Sequence, residues 1–252
     1  MRRAAWHTLT GLAAACLLSP TSAEAQRGDG DDEPEFSAAR DATVDARGAR
    51  AVRVEGAAGT LRVVGVAGLA EVRVRGTARA ARREDLAGIR LDVRRARDTV
   101  VVRAEVAERD EDFRAGWRDE WAERALDLVV EVPRGVAARV VDGSGDLDVS
   151  GVGALDLHDG SGGIEIAEVA SATIEDGSGS IRVRDVRGDL RVRDGSGSVE
   201  AERVGGTFTV ERDGSGSIDA RAIAGDFVVE RDGSGGITHG GVRGHVSLPR
   251  RR

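Results

Sequence analysis

The C-terminal half of the chain alternates apolar and charged residues over short stretches that end at glycine-rich turns. In DGSGSIRVRDVRGDLRVR, which begins at Asp176, Ile181 and Val183 alternate with arginines. Leu190 and Val192 do the same after a second turn. Alternation with a period of two over four or five residues is typical of a half-buried strand. Each such unit therefore predicts two short strands and two corners.

The tetrapeptide DGSG recurs at nearly constant intervals in this half of the chain. The six copies begin at Asp142, Asp159, Asp176, Asp194, Asp213 and Asp232. A unit of this length has one apolar face that it cannot bury alone, so the units must stack with equivalent positions in register. The repeat predicts an all-β fold, a single-chain parallel β-helix (β-solenoid) with about 17–19 residues per C-terminal coil.

This registration predicts two apolar ladders inside the solenoid. The first ladder contains Leu155, Ala172, Leu190, Phe208, Phe227 and Val246, and the second contains Leu157, Ile174, Val192, Val210, Val229 and Leu248. Two outward columns alternate in charge, Glu165–Arg182–Glu200 and Arg184–Glu202–Arg221. Because opposite charges on neighbouring strands attract, these columns are interpreted as solvated, cross-paired faces.

The N-terminal half follows a similar but less regular pattern. Residues 45–135 predict wider coils of the same solenoid, with a helical or loop insertion near 107–124, and residues 136–252 form the regular repeat. Within the insertion, Phe113, Trp117 and Trp121 stand four residues apart, which places them on one face of a helix. This helix is interpreted as a cap over the end of the solenoid, and an exposed contact for a partner is the alternative.

Residues 1–25 are typical of a signal peptide, with Arg2 and Arg3, an apolar run, and small residues before the cleavage point. Cleavage after Ala25 changes the net charge from −7 to −8 and removes the only cysteine, Cys16. Lipid attachment at Cys16 is the alternative. Residues 26–44 predict a disordered acidic linker. We expect an exported protein in the periplasm or at the cell surface, without a transmembrane segment in the mature chain.

These features together resemble a known bacterial family. An export signal, strands around LRVVGVAGLAEVRVRG and LDLVVEVPRG, and the successive DGSG repeats are similar to the "putative adhesin" family of exported β-strand-repeat proteins, related to the head-domain regions of autotransporter-like adhesins. The resemblance covers roughly residues 45 to 248. It implies a right-handed parallel β-helix on the cell envelope, and it brings no catalytic motif.

The motif serines do not predict an enzyme, because an active site occurs once whereas these residues recur on every coil. They are Ser144, Ser161, Ser178, Ser196, Ser215 and Ser234. Their flanking glycines also differ from the G-x-S-x-G spacing of a nucleophile elbow. The motif instead predicts corners, in which Asp bonds backbone N–H groups and glycine forms the turn. The structural turns are assigned to Gly143, Gly160, Gly177, Gly195, Gly214 and Gly233.

Stacking places the six motif aspartates in one column, where their charges would repel one another. Arg193, Arg212 and Arg231, each directly before a motif Asp, offer one source of relief. Calcium bound by the six aspartates is the alternative, since oxygen-rich turns can hold it. The sequence predicts no other metal or cofactor, and the three histidines left after cleavage form no defined zinc constellation.

The sequence therefore predicts a noncatalytic, exported β-solenoid that serves as an adhesin or cell-envelope interaction scaffold. The partner expected is a protein or glycan at the envelope, and not a nucleic acid, because the mature chain is acidic. A periplasmic structural or envelope-stress-related protein without an adhesive ligand is the first alternative. A β-helix enzyme acting on polysaccharide is the second. The oligomeric state stays open.

Overall fold

A computed structural model describes residues 36–107 and 124–250, which consist almost entirely of β-strands. The N-terminal strands are β1 Phe36–Ala39, β2 Ala42–Asp45, β3 Ala51–Glu55, β4 Leu61–Val66, β5 Glu71–Ala80, β6 Ile89–Ala96, β7 Thr99–Val106 and β8 Arg124–Pro133. A short 3-10 helix, Arg83–Gly88, precedes β6. In the described residues no helix is long and apolar enough to cross a membrane.

The C-terminal strands alternate between two sheets. They are β9 Ala137–Val141, β10 Leu147–Ser150, β11 Ala154–Asp159, β12 Gly162–Val169, β13 Ser171–Asp176, β14 Gly179–Val186, β15 Leu190–Asp194, β16 Val199–Val204, β17 Phe208–Asp213, β18 Ile218–Ile223, β19 Phe227–Val229, β20 Ile237–Gly240 and β21 Val246–Ser247. Sheet A has the order β1-β5-β8-β4-β10-β12-β14-β16-β18-β20, and β2 also pairs with β5. Sheet B has the order β21-β19-β17-β15-β13-β11-β9-β3-β7-β6.

Each C-terminal coil contributes one strand to sheet B and one to sheet A, and all pairs between these coils are parallel. Ile164 pairs with Ile181 on the next coil, and Val199 pairs with Ile218 on a later and slightly longer coil. The last increase in coil length occurs at a bulge in β17, where Glu211 is inserted before Arg212. The predicted parallel β-solenoid and its coil length are confirmed.

Both apolar ladders predicted from the repeat lie in the core of the solenoid. Leu155 pairs with Ala172, and Phe208 with Phe227, whose rings stack with centroids 5.2 Å apart. All members up to β19 are buried. The last members, Val246 and Leu248, are 39% and 41% exposed, because no further coil of the described chain covers them.

The predicted charge columns also lie in register on the outer face of sheet A. The Nη1 atom of Arg182 is 3.9 Å from Glu165 Oε1, and its Nε atom is 3.8 Å from Glu200 Oε2. Arg184, Glu202 and Arg221 pair in the predicted order. Since these side chains are largely exposed, each ion pair is worth less than about 1 kcal/mol.

The N-terminal region differs from the predicted set of wider coils. Strands β5 and β6 run antiparallel to β8 and β7, and β1 and β2 pair antiparallel with β5. Only Arg97 and Asp98 connect β6 to β7. A connection this short can join antiparallel strands but not successive parallel coils, and Arg97 turns the chain with a φ of 59°.

The order of coils in the stack also departs from the order of the chain. The coil formed by β3 and β4 lies between the coil of β7 and β8 and the coil of β9 and β10. The later strands β7 and β8 are therefore stacked outside an earlier coil. Sheet A therefore continues from β5, which pairs with β8, through β4 into the regular coils.

The prediction of a disordered linker over residues 26–44 is wrong for the last part of that range. Residues 36–44 contain β1 and most of β2, with Phe36, Ala38, Ala42 and Val44 half-buried along them. Phe36, Ala38 and Val44 pack against the core, which a solvated linker would not do. Residues 1–35, and the insertion that holds Phe113, Trp117 and Trp121, lie outside the described residues.

The two glycines of the DGSG motif have different structural roles, and the first copy of the motif is an exception for one of them. The second glycine has a φ between 120° and 144°, a region that disfavours side chains. The positions are Gly145, Gly162, Gly179, Gly197, Gly216 and Gly235. The first glycine lacks such a φ, but a Cβ atom on Gly214 would lie 2.1 Å from the carbonyl oxygen of Gly195. At Gly143 a Cβ atom would meet nothing within 4 Å.

We expect Gly214→Ala to destabilise the protein by about 1–3 kcal/mol, because the added methyl group collides with backbone of the neighbouring coil. The measurement is the urea midpoint of unfolding of the purified chain. Gly143→Ala is the matched control at the same motif position, and we expect it to change stability by less than about 0.5 kcal/mol.

Ser215→Ala should also leave the midpoint nearly unchanged. The bond that joins Ser215 to the neighbouring coil uses its backbone carbonyl, which accepts the N–H of Gly197 at 2.8 Å. Equal losses for Gly214→Ala and Gly143→Ala would contradict the proposed collision.

Candidate functional site

The motif aspartates form one column at the ends of the sheet B strands. Asp159 pairs with Asp176, Asp176 with Asp194, Asp194 with Asp213, and Asp213 with Asp232. The aspartates occupy inward-facing positions at the ends of their strands. In β13, for example, Ala172, Ile174 and Asp176 alternate with more exposed residues and are all buried. The side chains therefore enter the core instead of lining an exposed edge.

Burial of this column is nearly complete from Asp142 to Asp213. Asp194 and Asp213 are each 2% exposed, and Asp142 is 5% exposed. Both carboxyl oxygens of Asp142, Asp159, Asp194 and Asp213 make no hydrogen bond of ordinary geometry. Asp176 differs, because the N–H of Ser178 donates to its Oδ1 atom at 3.2 Å. Buried carboxyl groups without partners carry a large desolvation cost when ionised.

The arginines proposed to relieve this charge lie on the other face of sheet B. Arg193 forms ion pairs with Glu175, at 2.8 Å, and with Glu211, at 2.5 Å, on the outer surface. Arg212 and Arg231 are exposed. Residues that directly precede an inward side chain in a strand point outward. Adjacency in the sequence therefore did not bring these arginines to the aspartates.

The pKa values of the column rise because of burial and of like charges on the neighbouring coils. Burial, followed by the charge of Asp159, raises the pKa of Asp142 to about 7 and that of Asp176 to about 6. Burial raises the pKa of Asp194 to about 7, with added contributions from Asp176 and Asp213. Burial also raises the pKa of Asp159, against nearby backbone N–H groups, and that of Asp213.

The described residues show no arrangement of a serine with a histidine base. His158 lies on the outer face of sheet B, 3.3 Å from Asp156 and 3.1 Å from Glu175. His239 occupies the inward position opposite Ala220, but it is exposed and tilted against Phe227 at a centroid distance of 6.0 Å. The serine carbonyls, not their hydroxyls, bond the corners together.

Calcium at the motif aspartates stays a prediction. Among residues 36–107 and 124–250, no group of three or more His, Cys, Asp or Glu side chains could hold a metal ion. Calcium takes six to eight oxygen ligands in proteins. The column instead brings carboxyl groups together two at a time, between successive coils about 4.8 Å apart.

A second candidate site is a groove of about 830 Å³ on sheet A. It runs past the first residues of β4, β10, β12 and β14 and is bounded by β5 and β8. Its charged lining residues include Arg62, Arg75, Asp127, Asp148, Glu165 and Arg182. The sequence does not predict this groove, because the groove depends on the antiparallel placement of β5, which no local pattern specifies.

Hydrogen bonds and ion pairs hold the groove side chains in place. Thr60 donates its N–H and its hydroxyl to Asp127 Oδ1, at 2.9 and 3.0 Å. Burial acts to raise the pKa of Asp127, but these donors and the guanidinium of Arg79 outweigh it and hold the pKa below its usual value. The Nε atom of Arg62 lies 3.3 Å from Asp148 Oδ2. The groove therefore presents donors and acceptors side by side.

Comparison with known proteins adds solved structures but no family. No sequence-family model matches the chain, and no curated protein matches it. A "putative cell adhesion protein" from Clostridium sporogenes is similar at 8% identity and a TM-score of 0.39, over 84% of this chain and 100% of that one. A "putative adhesin" from Bacteroides fragilis shares 12% identity at a TM-score of 0.30, over 84% and 96%.

A "putative lipid binding protein" from Parabacteroides distasonis shares 10% identity at a TM-score of 0.32, over 84% of this chain and 97% of that one. At these scores the names describe those proteins alone. The adhesin family that the repeats resemble stays a prediction for this chain.

Proposed function

We propose that this protein is a noncatalytic, exported scaffold that binds a protein or glycan at the cell envelope through the groove on sheet A. The observation that carries the proposal is the groove itself, about 830 Å³ in volume and lined by charged and hydroxyl side chains. Its volume lies within the range of about 300–1,000 Å³ that is common for ligand sites.

The lining of the groove favours a polar, extended ligand. Thr60, Thr77 and Ser180 supply hydroxyl groups, and the described lining contains no aromatic side chain. The ion pairs are partly exposed, since Arg62 and Arg182 are each 61% exposed. Replacing the acidic side chain of such a pair with a ligand group therefore costs little free energy. A polar ligand with alternating donors and acceptors can replace these pairs one by one.

The stacked strands keep the groove in a fixed shape. Thr60, Asp146, Gly163 and Ser180 occupy equivalent positions just before the inward ladder of sheet A, on successive coils. Each of these coils is bonded to the next along its strand, so the spacing of the lining residues is set by the backbone. A preformed surface loses less entropy on binding than a flexible one.

Arg182→Ala should weaken binding by about tenfold or more, because it removes a charged donor from the lining of the groove. The assay is binding of the purified chain to a glycan array and to intact bacterial cells. Arg191→Ala is the matched control, with an equally exposed arginine, 60% exposed, on the outer face of sheet B. Equal binding by the unchanged chain, Arg182→Ala and Arg191→Ala would contradict a role for the groove.

Protease treatment of intact cells tests display at the surface, which the adhesin form of the proposal requires. We expect cleavage of the chain without permeabilising the cells. Protection in intact cells, with cleavage after the outer membrane is opened, would contradict surface display. That result would favour the periplasmic alternative without an adhesive ligand.

A further inference from the structure

The aspartate column is electrostatically isolated from the rest of the described protein. On the same sheet B strands, His158, Glu175, Arg193 and Glu211 point outward and pair with one another or with Asp156. The ladder of sheet A strands that faces the inside of the solenoid is apolar at Leu147, Ile164, Ile181, Val199 and Ile218. For four of the five buried aspartates, the charges that raise the pKa are those of neighbouring aspartates, whereas nearby backbone N–H groups lower it. The pKa of Asp159 is raised by burial and lowered by backbone N–H groups.

Both ends of the column are defined. In the coil stacked on Asp142 the equivalent residue is Gly56, where a Cβ atom would lie only 2.1 Å from Asp142 Oδ1. The column therefore stops at a residue without a side chain. At the other end Asp232 is half-buried, and one of its oxygens also lacks a partner. His239, inward on the last coil only, is exposed beside Phe227.

Five ionised carboxylates could not share this space without compensation. Each pays a desolvation cost, and each repels the carboxylate on the next coil. A metal ion would need several oxygen ligands at once, and the described residues provide no such group. A proton needs only two oxygens, because a protonated carboxyl group donates its O–H to a neighbouring carboxylate.

We propose that the buried column from Asp142 to Asp213 binds protons at neutral pH, held between carboxyl groups of successive coils. Each retained proton removes one charge and supplies a donor for an oxygen that otherwise has none. The proton comes from water and returns to it on unfolding, so no other reactant is needed. The ligand of this site is the proton, and the column acts as a pH-sensitive element of the solenoid.

The raised pKa values set the direction of the pH effect. An aspartate has a pKa near 3.9 in the unfolded chain, whereas Asp142 and Asp194 in the fold have pKa values of about 7. The folded state therefore binds more protons than the unfolded state between these values. The stabilisation that these protonated groups contribute is fully present below about pH 4, and this contribution is lost as the pH rises through about 7.

The test measures the melting temperature of the full chain between about pH 5 and pH 8.5. For the unchanged protein we expect a fall of about 5–10 °C over this range. Asp194→Asn keeps the shape of the side chain without its ionisation, so it should raise the melting temperature at the alkaline end and reduce the fall. Glu165→Gln, an exposed change on sheet A, should leave the fall unchanged.

A second measurement begins with the unchanged chain, so its main result does not depend on how well a variant folds. Infrared spectra of the unchanged chain at about pH 6.5 should show a carboxylic-acid C=O band, although ordinary aspartates are fully ionised there. Asp194→Asn should reduce this band. A flat melting temperature together with no such band would overturn the proposal.

Calcium separates a bound proton from a bound metal. The melting curves are repeated at about pH 8.5 with calcium and with a chelator. We expect the two curves to agree even at this pH, where the column is ionised, because its carboxyl groups provide too few oxygen ligands for calcium. A calcium-dependent rise that abolishes the pH effect would overturn the proposal and assign the column to the cation.

Discussion

Hydrogen bonding in register between successive coils is the constraint on which the rest of the structure depends. Backbone N–H groups donate to the next coil in strands and corners alike, as Gly197 does to Ser215 and Val199 to Ser217, both at 2.8 Å. Coils joined in this way lie about 4.8 Å apart, so every residue faces its own equivalent. Each position of the repeat must therefore hold a residue that tolerates an equivalent neighbour.

The repeat satisfies this requirement differently at each position. Inward positions stack apolar groups, such as the rings of Phe208 and Phe227. Outward positions alternate in charge, as around Arg182. Motif glycines remove the side chain where backbones approach too closely for one. Among the described residues only the aspartate column repeats the same charge inside the core, which makes it the position where the stacking constraint and electrostatics conflict.

The regular coils could be predicted from the sequence because their pairing is encoded in a short period. The match of Leu190 to Phe208 follows from the repeat alone, and the structure confirms it. The insertion of β3 and β4 between later coils could not be predicted, since no local pattern specifies which distant strand a strand pairs with. The groove depends on that long-range arrangement, and it was missed for the same reason.

A backbone irregularity near the ends of the sheet A strands was also beyond prediction, because its residues are not glycines. Glu168, Asp185, Arg203 and Ala222 adopt φ values of 55° to 59° on successive coils. Side chains disfavour this region by about 1–2 kcal/mol per residue. The stacked bonds on both sides must offset that cost, since Val169 and Val186, which directly follow these residues, pair in register. Local preference is overridden here by the parallel ladder.

The burial of the aspartates, by contrast, was available in the sequence. Asp176 stands two residues after Ile174, in the same inward phase, so alternation alone places it in the core. The turn-forming role of aspartate obscured this, because an asparagine side chain can also bond backbone N–H groups in a turn. A carboxyl group differs from an amide chiefly in its ionisable proton. Its recurrence on six coils, five of them with the side chain buried, is therefore explained by protonation better than by turn formation alone.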